Sequence, residues 1–411
     1  MEMKKFWKGG FAVAMAVAMM ACSSGNGASS NNTSSETSST NAETTTSAEA
    51  IKIGISGPLT GGAAVYGQAV KNAIELAVEE VNAQGGVQFE ANIQDDAHDP
   101  EKAVTAYGQL KDWGMQVSLG TVTSAPGAAV AQLYADDHIF ALTPSASSMD
   151  VIYNSTTKSY YGTFYQMCFT DPNQGIASAD YLSTHTNLGT KVAVIWKNDD
   201  NYSTGVHEKF VAEAKEKNLE IVSDETFDTS SASDFTVQLQ KAKDAGADIL
   251  FLPIYYEPAS LILTQADAMG YKPTVFGIDG MDGILSLEGF DTKLAEGVYL
   301  LTPFSADATD EKTVNFVTKF KEKYGDVPNQ FAADAYDCIY ALAQACTEGN
   351  VTASMSATEI TDIMVKQFTS MNFEGITGTE GSAITWAEIG EVSKSPKAMV
   401  IQDGAYVGVN D

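Results

Sequence analysis

From residue 51 onward, short apolar segments alternate with longer segments whose apolar residues recur at helical spacing. A first series of strands is predicted at residues 51–56, 88–94, 116–120 and 139–143, with helical stretches such as "AVKNAIELAVEEVN" between them. A second series follows, with predicted strands in "KVAVIW", "LEIVSDETF", "ADILFLP" and "PTVFGI". Strands separated by helices favour parallel sheets with right-handed crossovers, so the chain is predicted to be an α/β protein of two doubly wound lobes. A cleft between two such lobes is a natural site for a small ligand.

The last third of the chain is predicted to complete these lobes. "EGVYLLTPF" is expected to form a strand, helical segments follow it, and short strands are expected in "FEGITGT", "SAITWAE" and "KAMVIQDGAYV". We therefore assign residues 51–170 plus 301–380 to an N-terminal lobe and residues 171–300 plus 381–411 to a C-terminal lobe.

The first fifty residues are predicted to be a targeting segment and a tether. Lys4, Lys5 and Lys8 precede the apolar run "FAVAMAVAMMA", which is short for a membrane span and ends at Cys22. Residues 23–50 are almost wholly small and polar, so they are expected to be a disordered tether. Residues 1–22 resemble a bacterial lipoprotein signal peptide, which implies a lipid on Cys22 and anchoring at the outer face of the cell membrane. An ordinary secretory signal with an incidental cysteine is the alternative.

Charge and cysteine content exclude several classes of protein. With 53 acidic against 24 basic residues and a net charge of -29, no nucleic-acid partner is expected. After Cys22 there are three cysteines, Cys168, Cys338 and Cys346, too few for a disulfide scaffold. Cys338 and Cys346 would lie about 12 Å apart along one helix, too far for a bridge. Free, buried thiols are therefore expected.

The glycine-rich loop after the first strand does not fit a phosphate site. Gly57 and Gly62 have the spacing of a P-loop, but Ala63 stands where that motif needs Lys, and no G-x-G-x-x-G follows the strand. Tyr66, at the end of this loop, can instead project over the carboxyl edge of the sheet, where open α/β sheets bind ligands.

Catalytic motifs are also missing from the sequence. It contains neither G-x-S-x-G nor H-E-x-x-H, and its four histidines are scattered. "DDAHD", residues 95–99, gathers carboxylates around His98, but it is better explained as a strand end followed by a helix cap at Asp99 than as a metal site. We expect no enzyme activity, no metal and no cofactor.

Several segments, in the same order along the chain, resemble the substrate-binding proteins of branched-chain amino acid ABC transporters. They are "IKIGISGPLTGGAAVYG", "DDAHDPEKAV", "GTVTSAPGAAVAQLYADDHIFALTPSAS", "AADAYDCIYALAQA" and "FEGITGT". The resemblance runs from about Ile51 to the end and implies the type I periplasmic-binding-protein fold. It further implies an extracytoplasmic monomer that closes its lobes on a branched-chain amino acid (Leu, Ile or Val) and delivers it to an ABC-transporter permease.

An amino-acid site needs donors for a carboxylate, an acceptor for an ammonium and an apolar wall for the side chain. Ser124 ends a strand and precedes a helix, so its hydroxyl could take the carboxylate or could simply cap the helix. The resemblance implies that Ala146 and Ser147 offer backbone groups and a hydroxyl to the same head group. The family commonly has Thr at the hydroxyl position, and Ser147 preserves the oxygen.

The second lobe is expected to supply the rest of the site. Tyr202 and Tyr255 follow predicted strands, and the resemblance places the ammonium-binding carboxylate at Asp279, where Glu is usual. Asp282 is the competing carboxylate. Tyr66 is expected to form a wall for the ligand side chain, and plain packing between the lobes is its alternative role.

Three classes of function remain open after these observations. The first is a transporter's solute-binding protein, for a branched-chain or another small amino acid or amide. The second is a ligand-sensing receptor subunit of the same fold. The third is a hydrolase, for which the sequence offers no nucleophile and base.

Overall fold

The computed structural model describes residues 49–378 and 381–409, which form two α/β lobes with a cleft between them, as the sequence predicts. Cys22 and nearly all of the expected tether lie outside these residues. Within the described ranges, the strands are β1 (Ile51–Gly57), β2 (Phe89–Asp95), β3 (Val117–Thr121), β4 (Ala141–Thr143), β5 (Tyr153–Asn154), β6 (Ser159–Tyr160), β7 (Phe164–Gln166), β8 (Lys191–Lys197), β9 (Glu220–Phe227), β10 (Ile249–Leu252), β11 (Thr274–Gly277), β12 (Tyr299–Thr302), β13 (Lys397–Gln402) and β14 (Ala405–Gly408).

The helices surround two large sheets, and β5 and β6 form a separate two-stranded sheet. In the same described ranges they are α1 (Ala64–Gln84), α2 (Pro100–Trp113), α3 (Ser124–Asp136), α4 (Asp171–Thr184), α5 (Asn201–Glu216), α6 (Thr236–Asp244), α7 (Tyr256–Ala268), α8 (Glu311–Tyr324), α9 (Gln330–Glu348) and α10 (Ala357–Phe368). None of them is both long and apolar enough to cross a membrane.

The first sheet has the strand order β2-β1-β3-β4-β7, and its paired strands are parallel. The second has the order β14-β13-β12-β11-β10-β8-β9, with β8 to β12 parallel and β13 and β14 antiparallel. In a parallel sheet the carboxyl ends of the strands share one edge, so the loops that follow these strands gather the candidate site residues.

Local sequence signals explain how the helices begin and end. Asp99 is the N-cap of α2, where its side chain accepts hydrogen bonds from the N–H groups of Glu101 and Lys102, and Pro100 occupies the first helical position. The helix ends at Gly114, whose φ of 91° lies in the left-handed region that glycine tolerates. The expected helix cap at Asp99 is therefore confirmed.

The chain passes between the two sheets more than once. It leaves the first sheet after β7, builds β8 to β12 of the second, and returns with α8 and α9, which pack against α1 of the first lobe. It then re-enters the second sheet through β13 and β14. The residue bounds assigned to the two lobes above stay a prediction.

Several details of the chain's last segment differ from expectation. Where the structure describes them, "FEGITGT" and "SAITWAE" form no strands and contribute only single bridges, from Phe373 to Ile384 and from Trp386 to Val392. "KAMVIQDGAYV" is not one strand but the hairpin of β13 and β14. Its two-residue turn has φ of 51° at Asp403 and 72° at Gly404, the geometry of a type I′ turn, in which Asp-Gly is favoured.

The three cysteines of the described region are free and buried, which confirms the expectation from their spacing. Cys338 and Cys346 both lie on α9, while Cys168 lies where the chain first passes from one sheet to the other. Burial raises the pKa of all three thiols, so the reactive thiolate form is disfavoured at each.

Candidate ligand-binding cleft

The residues predicted to bind the ligand lie where strands end and helices begin, on both sides of the cleft. Their positions are the first turn of α1 for Tyr66, the start of α3 for Ser124, the loop after β4 for Ala146 and Ser147, the first turn of α5 for Tyr202, the residue before α7 for Tyr255 and the turn after β11 for Asp279. All are buried except Tyr255, which is half-buried.

The three tyrosines form one aromatic cluster across the cleft. The rings of Tyr202 and Tyr255 are stacked, with centroids 5.2 Å apart and planes 12° apart. The ring of Tyr66, from the first lobe, meets Tyr255 edge-on at 5.5 Å. The Tyr66 hydroxyl also donates to the carbonyl oxygen of Gly280 in the second lobe. Tyr66 therefore packs between the lobes, as its alternative role requires, and its role as a ligand wall stays a prediction.

Asp279 lies against this cluster and is only 4% exposed. Its Oδ1 accepts a hydrogen bond of 2.6 Å from the Tyr202 hydroxyl, and its Oδ2 accepts one of 2.9 Å from Nε2 of Gln174. Burial raises the pKa of Asp279 to about 7, although both hydrogen bonds act to lower it. The carboxylate is thus held in place by neutral donors, and the described part of the chain supplies no cation to it.

Gly280 is required beside Asp279 because the Tyr202 ring passes over its backbone. A Cβ at this position would lie 2.8 Å from Cε1 and 2.9 Å from the hydroxyl oxygen of Tyr202. The N–H of Gly280 also donates to that hydroxyl over 3.0 Å. Any larger residue here would displace the ring that orients the Asp279 carboxylate.

Asp282, the competing carboxylate, has a different environment. Its Oδ2 accepts a hydrogen bond of 2.8 Å from the N–H of Gln330, the first residue of α9. An anion at a helix N-terminus is stabilised by the helix dipole and the free N–H groups. The Asp282 side chain therefore links its loop to the N-terminus of α9. The Asp279 carboxylate, by contrast, is hydrogen-bonded to Tyr202 in the tyrosine cluster.

The first-lobe residues are linked to one another by hydrogen bonds. Ser124 is not the cap of α3, because Thr123 holds that position, and its Oγ instead accepts from the N–H of Ser148 over 3.2 Å. The N–H of Ala146 donates to Oγ1 of Thr143 over 2.9 Å, and its carbonyl oxygen accepts from Gln166 over 2.8 Å.

Asp171 lies next to the predicted residue Ser147 and is not among the residues predicted from the sequence. It is the first residue of α4, is 1% exposed, and donates its backbone N–H to the carbonyl oxygen of Ser147 over 3.0 Å. Neither carboxylate oxygen has a hydrogen-bond partner, although the Ser147 hydroxyl faces the group closely enough to lower its pKa somewhat. Burial still raises the pKa of Asp171 well above its usual range, and the charges of Asp279 and Asp200 add to the rise.

His98, treated above as part of a structural loop, also reaches the cleft. Its Nδ1 lies 2.9 Å from Oγ1 of Thr123, its ring meets Tyr255 edge-on at 5.3 Å, and its Nε2 lies 3.9 Å from Oδ2 of Asp200. Burial lowers the pKa of His98, and the charge of Asp200 acts in the opposite direction. In the described residues, no group of three or more acidic, His or Cys side chains is arranged to hold a metal ion.

A cavity of about 470 Å³ opens beside this cleft. Its walls come from the loop after β4, the start of α4 and the start of α5, and they include Asp150, Asp171, Asp199, Asp200 and Glu208. Carboxylates outnumber the single lysine of the lining, Lys209, so the cavity has a negative potential.

Comparison with known proteins gives one consistent result. The Periplasmic binding protein family matches residues 50–394. The chain is 25% identical over 301 residues to a leucine-, isoleucine-, valine-, threonine- and alanine-binding protein of Pseudomonas aeruginosa, an alignment that covers 72% of this chain and 78% of the relative. It is 28% identical to Leu/Ile/Val-binding protein homolog 1 of Brucella abortus, covering 72% of this chain and 77% of the relative.

Solved structures share the fold. The substrate-binding protein LivJ of Streptococcus pneumoniae, solved with isoleucine, is 26% identical and superposes with a TM-score of 0.75 over 88% of this chain and 100% of LivJ. A solute-binding protein of R. palustris solved with benzoate gives the same TM-score of 0.75, with 19% identity and coverage of 88% of this chain and 95% of that one. The fold is thus shared by proteins that hold an amino acid and by one that holds an aromatic acid.

Proposed function

This chain belongs to the periplasmic binding protein family, and from that membership we propose that it captures a branched-chain amino acid outside the cytoplasm and delivers it to an ABC-transporter permease. The binding step would be closure of the two lobes on the ligand. Leu, Ile and Val are the proposed ligands, because the relatives named above bind them and because the cleft combines a carboxylate with aromatic rings.

The observation that carries this proposal is the environment of Asp279. A carboxylate that is 4% exposed has lost nearly all of its hydration, and its donors, Tyr202 and Gln174, are both neutral. Burying a charge is costly unless an opposite charge compensates it. The ammonium of a free amino acid would supply that charge between the two lobes.

The rest of the cleft suits the other parts of an amino acid. The hydroxyls of Ser124 and Ser147, together with N–H groups at the start of α3, are donors of the kind that a carboxylate needs. The rings of Tyr66, Tyr202 and Tyr255 present apolar surface to an aliphatic side chain. We therefore assign the ligand head group to the serines and Asp279, and the side chain to the tyrosines.

Closure on the ligand follows from the way these groups are divided between the lobes. Tyr66, Ser124 and Ser147 belong to the first lobe, whereas Tyr202, Tyr255 and Asp279 belong to the second. A ligand that contacts both sets binds the closed state better than the open state, and so shifts the population towards closure. We further propose that the protein acts as a monomer held at the membrane by a lipid on Cys22.

A thermal-shift screen of the purified full chain against the twenty amino acids tests the proposal. A ligand at about 100 times its Kd adds roughly 2.7 kcal/mol of stability, enough for a clear rise in Tm. We expect rises with Leu, Ile and Val, and recovery of each ligand unchanged after incubation. If no amino acid raises the Tm, or if the recovered ligand has been converted, the proposed function is wrong.

A further inference from the structure

His98 is held in a backbone conformation that few side chains adopt. Its φ is 60° and that of Ala97 is 49°, so two successive residues other than glycine lie in the left-handed region. Such a conformation persists only where the surroundings enforce it. Here Oδ1 of Asp95 accepts the N–H of Ala97 and Oδ1 of Asp96 accepts the N–H of His98, both over 2.9 Å. The loop after β2 therefore fixes the direction in which the His98 side chain leaves the backbone.

The His98 ring joins the two lobes. On the side of its own lobe, Nδ1 lies 2.9 Å from Oγ1 of Thr123. On the opposite side, the ring meets Tyr255 edge-on at 5.3 Å, and Nε2 lies 3.9 Å from Oδ2 of Asp200. The contact with Asp200 is too long for a hydrogen bond and is electrostatic. Since Tyr255 and Asp200 follow strands of the second sheet, both contacts require the lobes to be together.

Asp200 is arranged to meet the first lobe. It is the buried N-cap of α5, and its Oδ1 accepts the N–H of Ser203 over 2.9 Å, which leaves Oδ2 for the contact with His98. The next residue, Asn201, also reaches the first lobe, because its Nδ2 donates to Oδ2 of Asp150 over 2.8 Å. The start of α5 is therefore held at two points of the first lobe.

The neutral imidazole suits this position. Burial, the largest influence, lowers the pKa of His98. Of the charges that face the ring, Asp200 and Asp99 raise this pKa and Lys197 lowers it. When Nδ1 accepts from the Thr123 hydroxyl, the ring proton is on Nε2, on the side of the Asp200 carboxylate. The neutral ring thus offers an N–H to the second lobe and encloses no charge of its own.

We propose that His98 is a positioning residue for ligand retention, which contacts Tyr255 and Asp200 only in the closed state and thereby slows the release of the bound ligand. This inference rests on the proposed function and deepens it. A contact that exists in the closed state alone shifts the population towards closure. The ligand leaves when the cleft opens, so the rate of release should depend on His98, whereas capture by the open state should not.

Rapid-filtration measurements with labelled leucine test the proposal, because they give the rates of capture and release separately. His98→Asn is the informative variant. Asn tolerates the left-handed backbone, and its amide nitrogen can take the place of Nδ1 beside Thr123, but it is too short to contact Tyr255 or Asp200. We expect this variant to release leucine at least about threefold faster, the factor expected for the loss of one aromatic contact, and to capture it at an unchanged rate.

His138→Asn is the matched control. His138 also has a left-handed φ, of 51°, and its Nε2 lies 2.8 Å from Oδ1 of Asp362. Asp362 lies on α10, which packs against α9 and β3 of the first lobe, so this pair does not cross the cleft. His138→Asn should leave both rates unchanged. His98→Gln, whose amide can take the place of Nε2, should release leucine at a rate closer to that of the wild type than His98→Asn does.

Asp200→Asn tests whether the contact across the cleft is the cause. Asn is a good N-cap, so α5 should keep its start in this variant. Asp200→Asn should speed release in the wild-type background and have a smaller effect in the His98→Asn background, because the contact that it weakens is already lost there. Equal effects in the two backgrounds would show that the two residues act independently and would overturn the proposal.

The outcomes separate this inference from the function on which it rests. If the wild type binds leucine and His98→Asn releases it no faster, His98 does not govern release, while the proposed function stands. Should His98→Asn fail to fold, Asp200→Asn decides, and a release rate equal to that of the wild type overturns the inference. If the wild type binds no amino acid at all, the proposed function fails, and the inference fails with it.

Discussion

The hydroxyl of Tyr202 lies 2.6 Å from Oδ1 of Asp279 and donates a hydrogen bond to it. The same hydroxyl accepts the N–H of Gly280 over 3.0 Å, so one ring fixes both the carboxylate and the backbone beside it. Since Tyr202 also stacks on Tyr255, the polar and apolar halves of the cleft are joined through a single side chain. A change at Asp279 should therefore affect the charge of the site more than its shape.

Replacing Asp279 by Asn should weaken amino-acid binding strongly. Asn keeps the size of the side chain and can still accept from Tyr202, but it cannot neutralise the ligand ammonium in a desolvated cleft. Removing one partner of a buried charge pair typically costs about 2–5 kcal/mol of binding free energy. Calorimetric titration with leucine measures this loss directly.

Asp282→Asn is the control for that experiment, because Asp282 is equally buried and lies three residues further along the chain. It should lower the stability of the protein, since Asp282 holds the start of α9, while leaving the preference among ligands unchanged. If Asp282→Asn abolishes leucine binding and Asp279→Asn does not, the ammonium site belongs at Asp282.

The affinity for leucine should fall as the solution becomes more acidic. Burial raises the pKa of Asp279 to about 7, and a bound ammonium favours the ionised carboxylate. Below pH 7 the carboxyl group must therefore lose a proton before it can pair with the ligand, and each pH unit costs up to about tenfold in affinity per proton released. Titrations between about pH 8 and pH 5 should show this slope, and Asp279→Asn should flatten it. A constant affinity over this range would contradict the assignment.

The fold was predictable because its strands and helices are long enough to show their periodicity. The strands that were missed are short. β7 has three residues, and β5 and β6 have two each, so they carry no measurable alternation. The Asp-Gly pair at Asp403 and Gly404 signals a turn, and it divides the segment "KAMVIQDGAYV", predicted above as one strand, into the two strands of a hairpin.

The length of the preceding strand also explains which candidate site residues could be predicted from the sequence. Tyr202 and Asp279 follow β8 and β11, strands that were predicted, so their place at the sheet edge could be inferred. Asp171 follows β7, which was not predicted, and the sequence Asp-Pro at residues 171–172 is typical of a helix start. Sequence reasoning also could not tell whether Ser124 caps its helix, because that depends on the backbone angles of Thr123.

The buried ion pair of Lys394 and Asp334 should be important for stability. The Lys394 Nζ lies 2.6 Å from Oδ1 of Asp334, and the two side chains are 0% and 2% exposed. Lys394→Met would leave an uncompensated buried carboxylate, which typically costs about 3–5 kcal/mol of unfolding free energy. Denaturant unfolding measures this loss, and the double variant with Asp334→Leu should recover most of it.

Lys71 and Glu75 provide the matched comparison for that pair. They form an i,i+4 ion pair of 3.3 Å with side chains that are 36% and 42% exposed. Lys71→Met should cost no more than about 0.5 kcal/mol, because water screens an exposed pair. If Lys394→Met and Lys71→Met lose the same unfolding free energy, burial does not determine the strength of these ion pairs.

Cys22 should be required for membrane attachment and not for folding. It lies outside the described residues, whereas the cleft residues named above all lie within the described ranges. Cys22→Ala should therefore release the protein into the soluble fraction, or leave it unprocessed, while the purified variant still binds leucine. Fractionation and calorimetry give the two readouts. A mature Cys22→Ala protein that still sediments with membranes would exclude a lipid on this cysteine.

The order of ligand preference should follow the chemistry of the tyrosine cluster. If Tyr66, Tyr202 and Tyr255 line the ligand side chain, as proposed, an aliphatic side chain gains about 25 cal/mol for each Å² of apolar area that it buries against them. Leu, Ile and Val should therefore bind better than Ala and Gly. A charged side chain would enter a desolvated region without an opposite charge among these rings, so Asp, Glu and Lys should bind hardly at all.

Competition against labelled leucine measures this order in one experiment. Phe is the informative intermediate, because it has the same head group as leucine but a larger, aromatic side chain. If the pocket admits the phenyl ring, Phe should compete with leucine about as well as Val does. If the pocket is too small for the ring, Phe should not compete. Tight binding of glutamate or lysine with no competition from leucine would overturn the branched-chain assignment, since such a ligand needs a charged partner that the three tyrosines do not provide.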